Sequence, residues 1–422
     1  MKNIAYIESN RDGTIGGSYY CLLEIVKHLD RSRYNPIVIF HDKNTLIPEF
    51  EKYAVVIVLR NKKGLVIRNE YPDLYGFFAR YGISRLLLSL FQKTYNLFRY
   101  VIPYYLEILS LMKRYRIDLV HMNDQPLLTE WLLASRLFGA RCISHLRGNL
   151  VPSTFQKRMM THYERVISIS DSVTAFMKKQ NVDTSNFMTI NDGIDIGAVL
   201  RAQQGHAATL KGEFDRSDNG FLLGLIGNIK QWKGQHVAVE AVRILRKAGV
   251  NVTCLVIGAV SHLEEDVTYF ARLRKLVADY GLDDRVLFTG FRNDVPGLIA
   301  QVDLILHTSI QPEPFGRVIL EGMLSAKPVI ATAHGGPLEI IEDGVSGYLV
   351  PPDDPQTLAE TIRHLLSCSD LRQQVGAAAR RRVENKFTIA SNVRKIESVY
   401  ASLLTQARKI TTQSTAVPSS DR

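Results

Sequence analysis

The 422 residues exceed what one ordinary hydrophobic core organises and predict two domains. The composition is globular, 46% hydrophobic and 22% charged with no low-complexity block, and the net charge is +10. Cys21, Cys142, Cys254 and Cys368 lack CxxC spacing, which argues against a disulfide framework or a zinc site and fits a reducing compartment. The N-terminus enters a strand without the apolar core of a signal peptide, and no charge-free apolar run approaches the roughly 20 residues of a transmembrane helix. The chain is therefore expected in the cytoplasm.

The first part alternates short apolar runs with helical patterns. "NIAYIES" reads as a buried strand, "GTIGGSYY" as the turn behind it and "SYYCLLEIVKHL" as the first helix. Gly16 and Gly17 leave backbone N–H groups open at that helix start, a place suited to phosphate, although a glycine pair there also serves as a plain turn. "NPIVIFHD" and "AVVIVLR" are strand-like. A basic and aromatic insert over about 60–116 follows, with eleven Lys/Arg between Arg60 and Arg116 against Glu70, Asp73 and Glu107. Its leucines and tyrosines, interleaved with Arg80, Arg85, Lys93 and Arg99, predict either a segment drawn to an anionic membrane surface or a basic face on packed helices. No DNA- or RNA-binding motif accompanies the charge, so nucleic acid is not an expected partner. "IDLVHMND", "ARCISHLRG" and "ERVISIS" then alternate with helices as βαβ units around a parallel sheet.

These elements predict a first domain over 1–195 and a polar linker over 196–220. A second α/β series over 221–386 has strands "FLLGLIG", "VTCLVIG", "RVLFTGF", "VDLILHTS", "KPVIATA" and "SGYLVPP". A helix over 387–407 and a disordered tail over 408–422 complete the chain. The fold class is α/β, two Rossmann-like doubly wound domains, with a ligand expected in the cleft between them near the carboxyl ends of the strands.

Two constellations in the second domain bear on chemistry. In "GLIGNIKQWKGQH" Lys233 precedes a helix opening at Gly234 and either neutralises a phosphate there or faces solvent as an ordinary loop lysine. In "QPEPFGRVILEGM" the amides of Gly316, Arg317 and Val318 offer an anion site at a helix tip, and Glu321 lies roughly 7–8 Å along the helix from Gly316. A nucleotide-sugar explains both acids: Glu321 takes ribose hydroxyls and Glu313 faces the sugar beyond the far phosphate. An Arg317–Glu321 i,i+4 pair is the competing reading, and it leaves Glu313, Phe315 and Gly316 unexplained.

Nearly the whole chain resembles the retaining GT-B glycosyltransferases of glycosyltransferase family 4. The resemblance lies in Gly16-Gly17, "SHLRG" with His145, "ISIS" with Ser170, Lys233-Gly234, "EPFGRVILE", "ATAHGGPLEII" and "GYLVPPDD". It implies that Glu321 binds the ribose and Glu313 the donor sugar, that backbone groups from Phe315 to Val318 hold sugar and phosphate, and that Lys233 binds the diphosphate. It also implies that His145 reaches the reacting sugar and that the helix after Phe387 crosses back onto the first domain.

Two positions depart from the family pattern. Asn228 stands where the family has a second diphosphate cation, so either Arg147 or Arg317 substitutes for it beside Lys233 or phosphate is held more weakly. "NDGID" places Asp192 before Gly193 where the family has a contiguous Asn-Gly-Ile-Asp, so Asn191 receives no role. No D-x-D occurs in the chain, so no metal or other cofactor is expected.

The resulting expectation is a transferase that moves a hexosyl group from a nucleotide-diphosphate sugar to a glycan or lipid-linked acceptor, on the inner face of the cell membrane. The alternatives are an epimerase or phosphorylase on the same fold, or a non-catalytic membrane-associated scaffold.

Overall fold

The computed structural model describes residues 1–8, 16–59, 85–124, 129–204 and 220–405. Near-continuous Val, Ile and Leu runs produce strands buried on both faces, as in β1, where Ile4 to Ile7 are fully buried. The first domain's sheet holds β1 (Lys2–Glu8), β2 (Tyr34–Phe40), β3 (Val55–Val58), β4 (Leu119–Asp124), β5 (Arg141–Leu146), β6 (Arg165–Ser168) and β7 (Phe187–Thr189), in the order 3-2-1-4-5-6-7. The second domain's sheet holds β8 (Phe221–Ile226), β9 (Val252–Ile257), β10 (Val286–Gly290), β11 (Leu304–His307), β12 (Val329–Thr332) and β13 (Tyr348–Val350), in the order 10-9-8-11-12-13. Every pairing between these strands is parallel. Each sheet reverses its winding beside its first strand, at β1/β4 and at β8/β11, which opens a crevice at the carboxyl ends.

The last helix, Ile389–Thr405, carries Ile389, Val393, Ile396, Tyr400 and Leu403 at helical spacing. That stripe is buried against Ile4, Tyr6, Tyr34, Ile143 and Ile167 of the first domain. At about 1.5–3 kcal/mol per large apolar side chain, this burial is worth roughly 10 kcal/mol as an upper figure. Glu397 adds a bond, accepting from the Asp30 amide at 2.7 Å. Where the chain re-enters the first domain, the Ile194 amide donates to Phe387 O at 2.8 Å and the Ile389 amide to Ile194 O at 3.0 Å. The two crossings between domains thus form a short parallel bridge. Gly193 permits the approach, because a Cβ there would lie 2.6 Å from the Ile389 backbone.

Three features differ from the sequence reading. The strand Phe187–Thr189 was not anticipated; its three residues are too few for a period-2 signal. The expected polar linker opens as a helix, Ile196–Gln204, whose Ile196, Val199 and Leu200 pack on the core. In the basic insert, residues 60–84, with Arg80, lie outside the described residues, as does the tail from 406. From Arg85 the insert is one rod: a helix Arg85–Asn96, a π turn Leu97–Val101 and a helix Ile102–Arg114. Pro103 has no N–H to donate one turn back, and the wider turn falls just before it. Ile108 and Met112 bury the rod's distal end, whereas Leu87, Leu90, Phe91, Leu97, Phe98 and Leu106 are exposed.

Candidate active site

Glu313 lies in the loop between β11 and the helix Arg317–Leu324. Its amide donates to His334 O at 3.1 Å and its carbonyl accepts from the Gly336 amide at 2.7 Å. This backbone-on-backbone contact requires glycine: a Cβ on Gly335, at φ +91°, would sit 2.3 Å from Glu313 O. So held, the buried Glu313 Oε2 accepts from Lys233 Nζ at 2.5 Å, His307 Nε2 at 3.1 Å and Ser309 Oγ at 3.2 Å. Burial pushes its carboxyl up, but the Lys233 ammonium and the His307 N–H outweigh burial and hold it far below the usual carboxylate range.

Lys233 reaches that carboxylate from the short 3₁₀ turn Gln231–Lys233 behind β8. Gly234, at φ +67°, packs so closely on Thr308 that a Cβ would lie 2.0 Å from the Thr308 carbonyl oxygen. The Thr308 hydroxyl donates to Lys233 O at 3.1 Å and the Ile310 amide to Trp232 O at 2.8 Å. The loops behind β8 and β11 are therefore locked together, with Lys233 Nζ 4.1 Å above the Trp232 ring.

At the tip of the helix Arg317–Leu324, Gly316 adopts φ +105° and the amides of Gly316, Arg317 and Val318 find no acceptor among the described residues. Glu321, half-buried one turn further on, accepts no hydrogen bond at its carboxylate among the described residues. Burial raises its pKa and the Arg317 charge lowers it less. Arg317 and Glu321 form no ion pair; the Arg317 guanidinium instead crosses the cleft to Cys21 Sγ, 3.1 Å away. The i,i+4 reading of this helix fails on that geometry.

The facing wall is the first domain. His145 and Arg147 stand at the carboxyl end of β5. Arg147, one of the two candidate substitute cations, is already engaged within its own domain. Its guanidinium is buried, donating to Asp192 Oδ1 at 2.6 Å and, from Nε, to Asn123 Oδ1 at 2.7 Å, so its charge is spent within the domain. Asn123 passes the network on to Glu8 Oε2 at 2.7 Å. His145 Nδ1 lies 3.3 Å from His121 Nε2, while its own Nε2 is buried without a partner among the described residues. Burial first, then the Arg147 charge, pulls its pKa well below the ordinary value, so the ring is neutral. Gly16 caps the first helix in an extended conformation and Gly17 opens it; a Cβ on either would meet no atom within 4 Å.

Polar bonds close the cleft around Glu313. Asn149 Nδ2 donates to Pro312 O at 3.0 Å, Ser170 Oγ to Pro314 O at 2.6 Å, and Glu339 accepts from the Ser172 amide at 3.0 Å and Asn191 Nδ2 at 3.1 Å.

The profile of the group 1 glycosyl transferases matches residues 208–382, and that of Glycosyltransferase Family 4 matches residues 15–197, so the two together span both domains. The chain belongs to glycosyltransferase family 4. This glycosyltransferase is 28% identical over 354 residues, 80% of its length and 86% of the relative's, to the N-acetyl-alpha-D-glucosaminyl L-malate synthase of Bacillus anthracis. It is 27% identical over 249 residues to the capsular polysaccharide biosynthesis glycosyltransferase CapM of Staphylococcus aureus, covering 57% of the chain and 62% of that relative. The fold matches that of Anabaena Alr3699/HepE, solved in complex with UDP, with a TM-score of 0.75, 24% identity and coverage of 95% and 100% of the two chains.

In the glycosyltransferase, Glu313, Lys233, Gly316, Arg317, Val318 and Glu321 converge on one helix tip. Phe315 contributes backbone only, since its ring is buried against Phe387. Asn228 is exposed, and its carbonyl accepts from Gln235 Nε2 at 3.0 Å. Sequence reasoning missed His307 and Ser309, the further donors to Glu313. Their signal was present: both close "LILHTS", the carboxyl end of a parallel strand beside the switch point. It also missed Asp192, Glu339 and His121, whose partners are remote in sequence.

Proposed function

We propose that the chain is a retaining glycosyltransferase that moves a hexosyl group from a nucleotide-diphosphate sugar to a glycan or lipid-linked acceptor in surface polysaccharide or glycolipid synthesis. The carrying observation is the helix tip at Gly316. It sets unbonded amides between an unpartnered Glu321 and a Glu313 already paired with Lys233. Glu321 takes the ribose hydroxyls, the amides and Lys233 take the diphosphate, and Glu313 holds a hydroxyl of the sugar, with His145 on its other side.

As the bond from the anomeric carbon to the phosphate oxygen breaks, its electron pair goes to the nucleoside diphosphate, and the amides and Lys233 stabilise the growing charge. The acceptor hydroxyl oxygen bonds the same carbon, and its proton passes to the departing phosphate oxygen, so that the glycoside and the nucleoside diphosphate are the products. The absence of D-x-D in the sequence supports charge neutralisation by protein groups alone. The UDP complex of Anabaena Alr3699/HepE supports a uridine diphosphate as the first donor nucleotide to screen.

A panel of labelled UDP- and GDP-sugars with product mass analysis tests the reaction. Transfer from one of them is the expected outcome; neither hydrolysis nor transfer from any rejects it. Glu313→Ala is expected to abolish turnover while the fold survives, and full activity rejects its contact with the sugar.

The acceptor side draws on the rod from Arg85 to Arg114. Its exposed Leu90, Phe91, Leu97 and Phe98, beside Lys93 and Arg99, support docking on an anionic membrane at the inner face of the cell. Among the described residues no helix is long and apolar enough to cross a membrane. Pelleting with anionic liposomes at low salt, and release by charge reversal at Arg80, Arg85, Lys93 and Arg99, is the expected result; pelleting that ignores those reversals rejects the idea.

A further inference from the structure

The Glu313 carboxylate is divided between two surroundings. Oε2 takes every protein donor that reaches the group: Lys233 Nζ, His307 Nε2 at 3.1 Å and Ser309 Oγ at 3.2 Å. Oε1 bonds to no described residue, and it is not among the buried atoms left without a partner, so it meets water. The loop on either side is bonded to the first domain through Pro312 O and Pro314 O. The space on which Oε1 opens therefore lies on the cleft side of the loop.

We infer that His307, helped by Ser309, is a positioning residue: by occupying Oε2 it aims Oε1 as the single free acceptor that Glu313 offers a ligand. An ionised carboxylate only accepts, so His307 meets Oε2 with Nε2–H, and the Ser309 hydroxyl spends its one proton there as well. The Ser309 oxygen lies 3.4 Å from His307 Nε2 and has lone pairs for the same N–H, so the two donors do not compete. His307 Nδ1 is buried with no partner among the described residues, so the bonding of this ring is directed at Glu313 and Ser309 and not at the backbone around it.

Both donors are fixed to the sheet, while Glu313 rides on a loop. His307 is the last residue of β11 and pairs with Ala331 of β12. Ser309 is held by the Thr332 hydroxyl, which donates to its carbonyl at 2.7 Å. A group held by rigid elements keeps the geometry that a loop alone would lose. Without these donors Oε2 is left to Lys233, a flexible cation that also serves the phosphates, and the carboxylate is free to turn. The aimed oxygen also selects its ligand. It takes a group with a hydrogen to give, a hydroxyl or an amide N–H, and refuses an anionic one. That this ligand is the donor sugar rests on the reading above.

The test follows turnover of the labelled UDP- or GDP-sugar selected by the panel, together with the affinity for free UDP or GDP by calorimetry. His307→Leu keeps an apolar body and removes the donor. It is expected to lower kcat/KM about tenfold to a hundredfold, the worth of one hydrogen bond to a charged group, with nucleotide affinity unchanged. His307→Gln, whose amide N–H can replace Nε2–H, is expected to restore most of the loss. Ser309→Ala removes the neighbouring donor with little change in volume, is expected to show a smaller loss of the same kind, and decides the matter if His307→Leu does not fold. Wild-type turnover in both His307→Leu and Ser309→Ala overturns the inference. A nucleotide affinity that falls in step with turnover in both, or a His307→Gln as slow as His307→Leu, also overturns it. Melting temperatures give an arm independent of the sugar: the loss in His307→Leu/Glu313→Ala is expected to be smaller than the sum of the two single losses, and an additive loss overturns the clamp. If that coupling holds but Glu313→Ala turns over donor at the wild-type rate, the clamp stands and the sugar-contact reading fails.

Discussion

Replacing Lys233 with methionine removes one charge of a closed pair and leaves Glu313 facing His307 and Ser309 alone. Breaking a buried ion pair from one side costs about 3–5 kcal/mol. The Lys233 side chain keeps 23% of its surface open and that of Glu313 10%, so water screens part of the loss and about 2–3 kcal/mol is expected. For a domain of this size, that lowers the melting temperature of the second domain by on the order of 5–10 °C.

The pH dependence carries the sign. In the wild type the Glu313 pKa is depressed, so its stabilisation is present above the unfolded value and is lost only as pH falls through the depressed folded one. In Lys233→Met the main cation is gone and burial raises the same carboxyl. Its cost is then greatest near neutrality and is relieved as pH falls through the raised value. Thermal unfolding followed by circular dichroism from about pH 8 to about pH 4 should show a gap between the two proteins that narrows with acid. In Lys233→Met/Glu313→Gln much of the loss at neutral pH should return. Equal melting temperatures at neutral pH, or a gap indifferent to pH, would refute the pair as an energetic unit.

Glu321→Gln removes a carboxylate that no described residue satisfies, so its melting temperature is expected to hold or rise while donor KM rises about tenfold; calorimetric scanning and initial rates check both. Gly336→Ala drives a Cβ to 2.4 Å from the Phe315 backbone and is expected to cost at least about 2 kcal/mol and most of the activity without removing a chemical group. Arg147→Met leaves Asp192 buried and unpaired, at about 3–5 kcal/mol, and Arg147→Met/Asp192→Asn should regain part of it in urea unfolding.

Twelve of the thirteen described strands were legible as short, largely apolar runs between helical patterns, even where polar residues interrupt them, as His121 does in β4 and Ser144 and His145 do in β5. The helix tip was legible for a different reason: a glycine, a first turn and two acids at fixed spacing are local. Arg147 was misjudged because its partners Asn123 and Asp192 come from other strand ends, and only the fold decides whether a cation near a cleft is free or spent. Glu339 was illegible for the same reason, since its bonds to Ser172 and Asn191 join residues 167 and 148 positions apart. The start of the linker, Ile196–Gln204, was hidden because its apolar residues make sense only once the core they cover exists.

The bridge between Ile194 and Thr388 has a mechanical consequence. Two crossings tied rung to rung act as an axle: torque between the domains is resisted there by paired amides, and rotation is converted into travel that grows with distance from it. The loop carrying Glu313 is fastened to the opposite domain by Asn149 and Ser170, and its Phe315 packs on Phe387 beside that axle. The position of Glu313 is therefore set by backbone contacts drawn from both domains beside the crossing, rather than by the softness of a free loop.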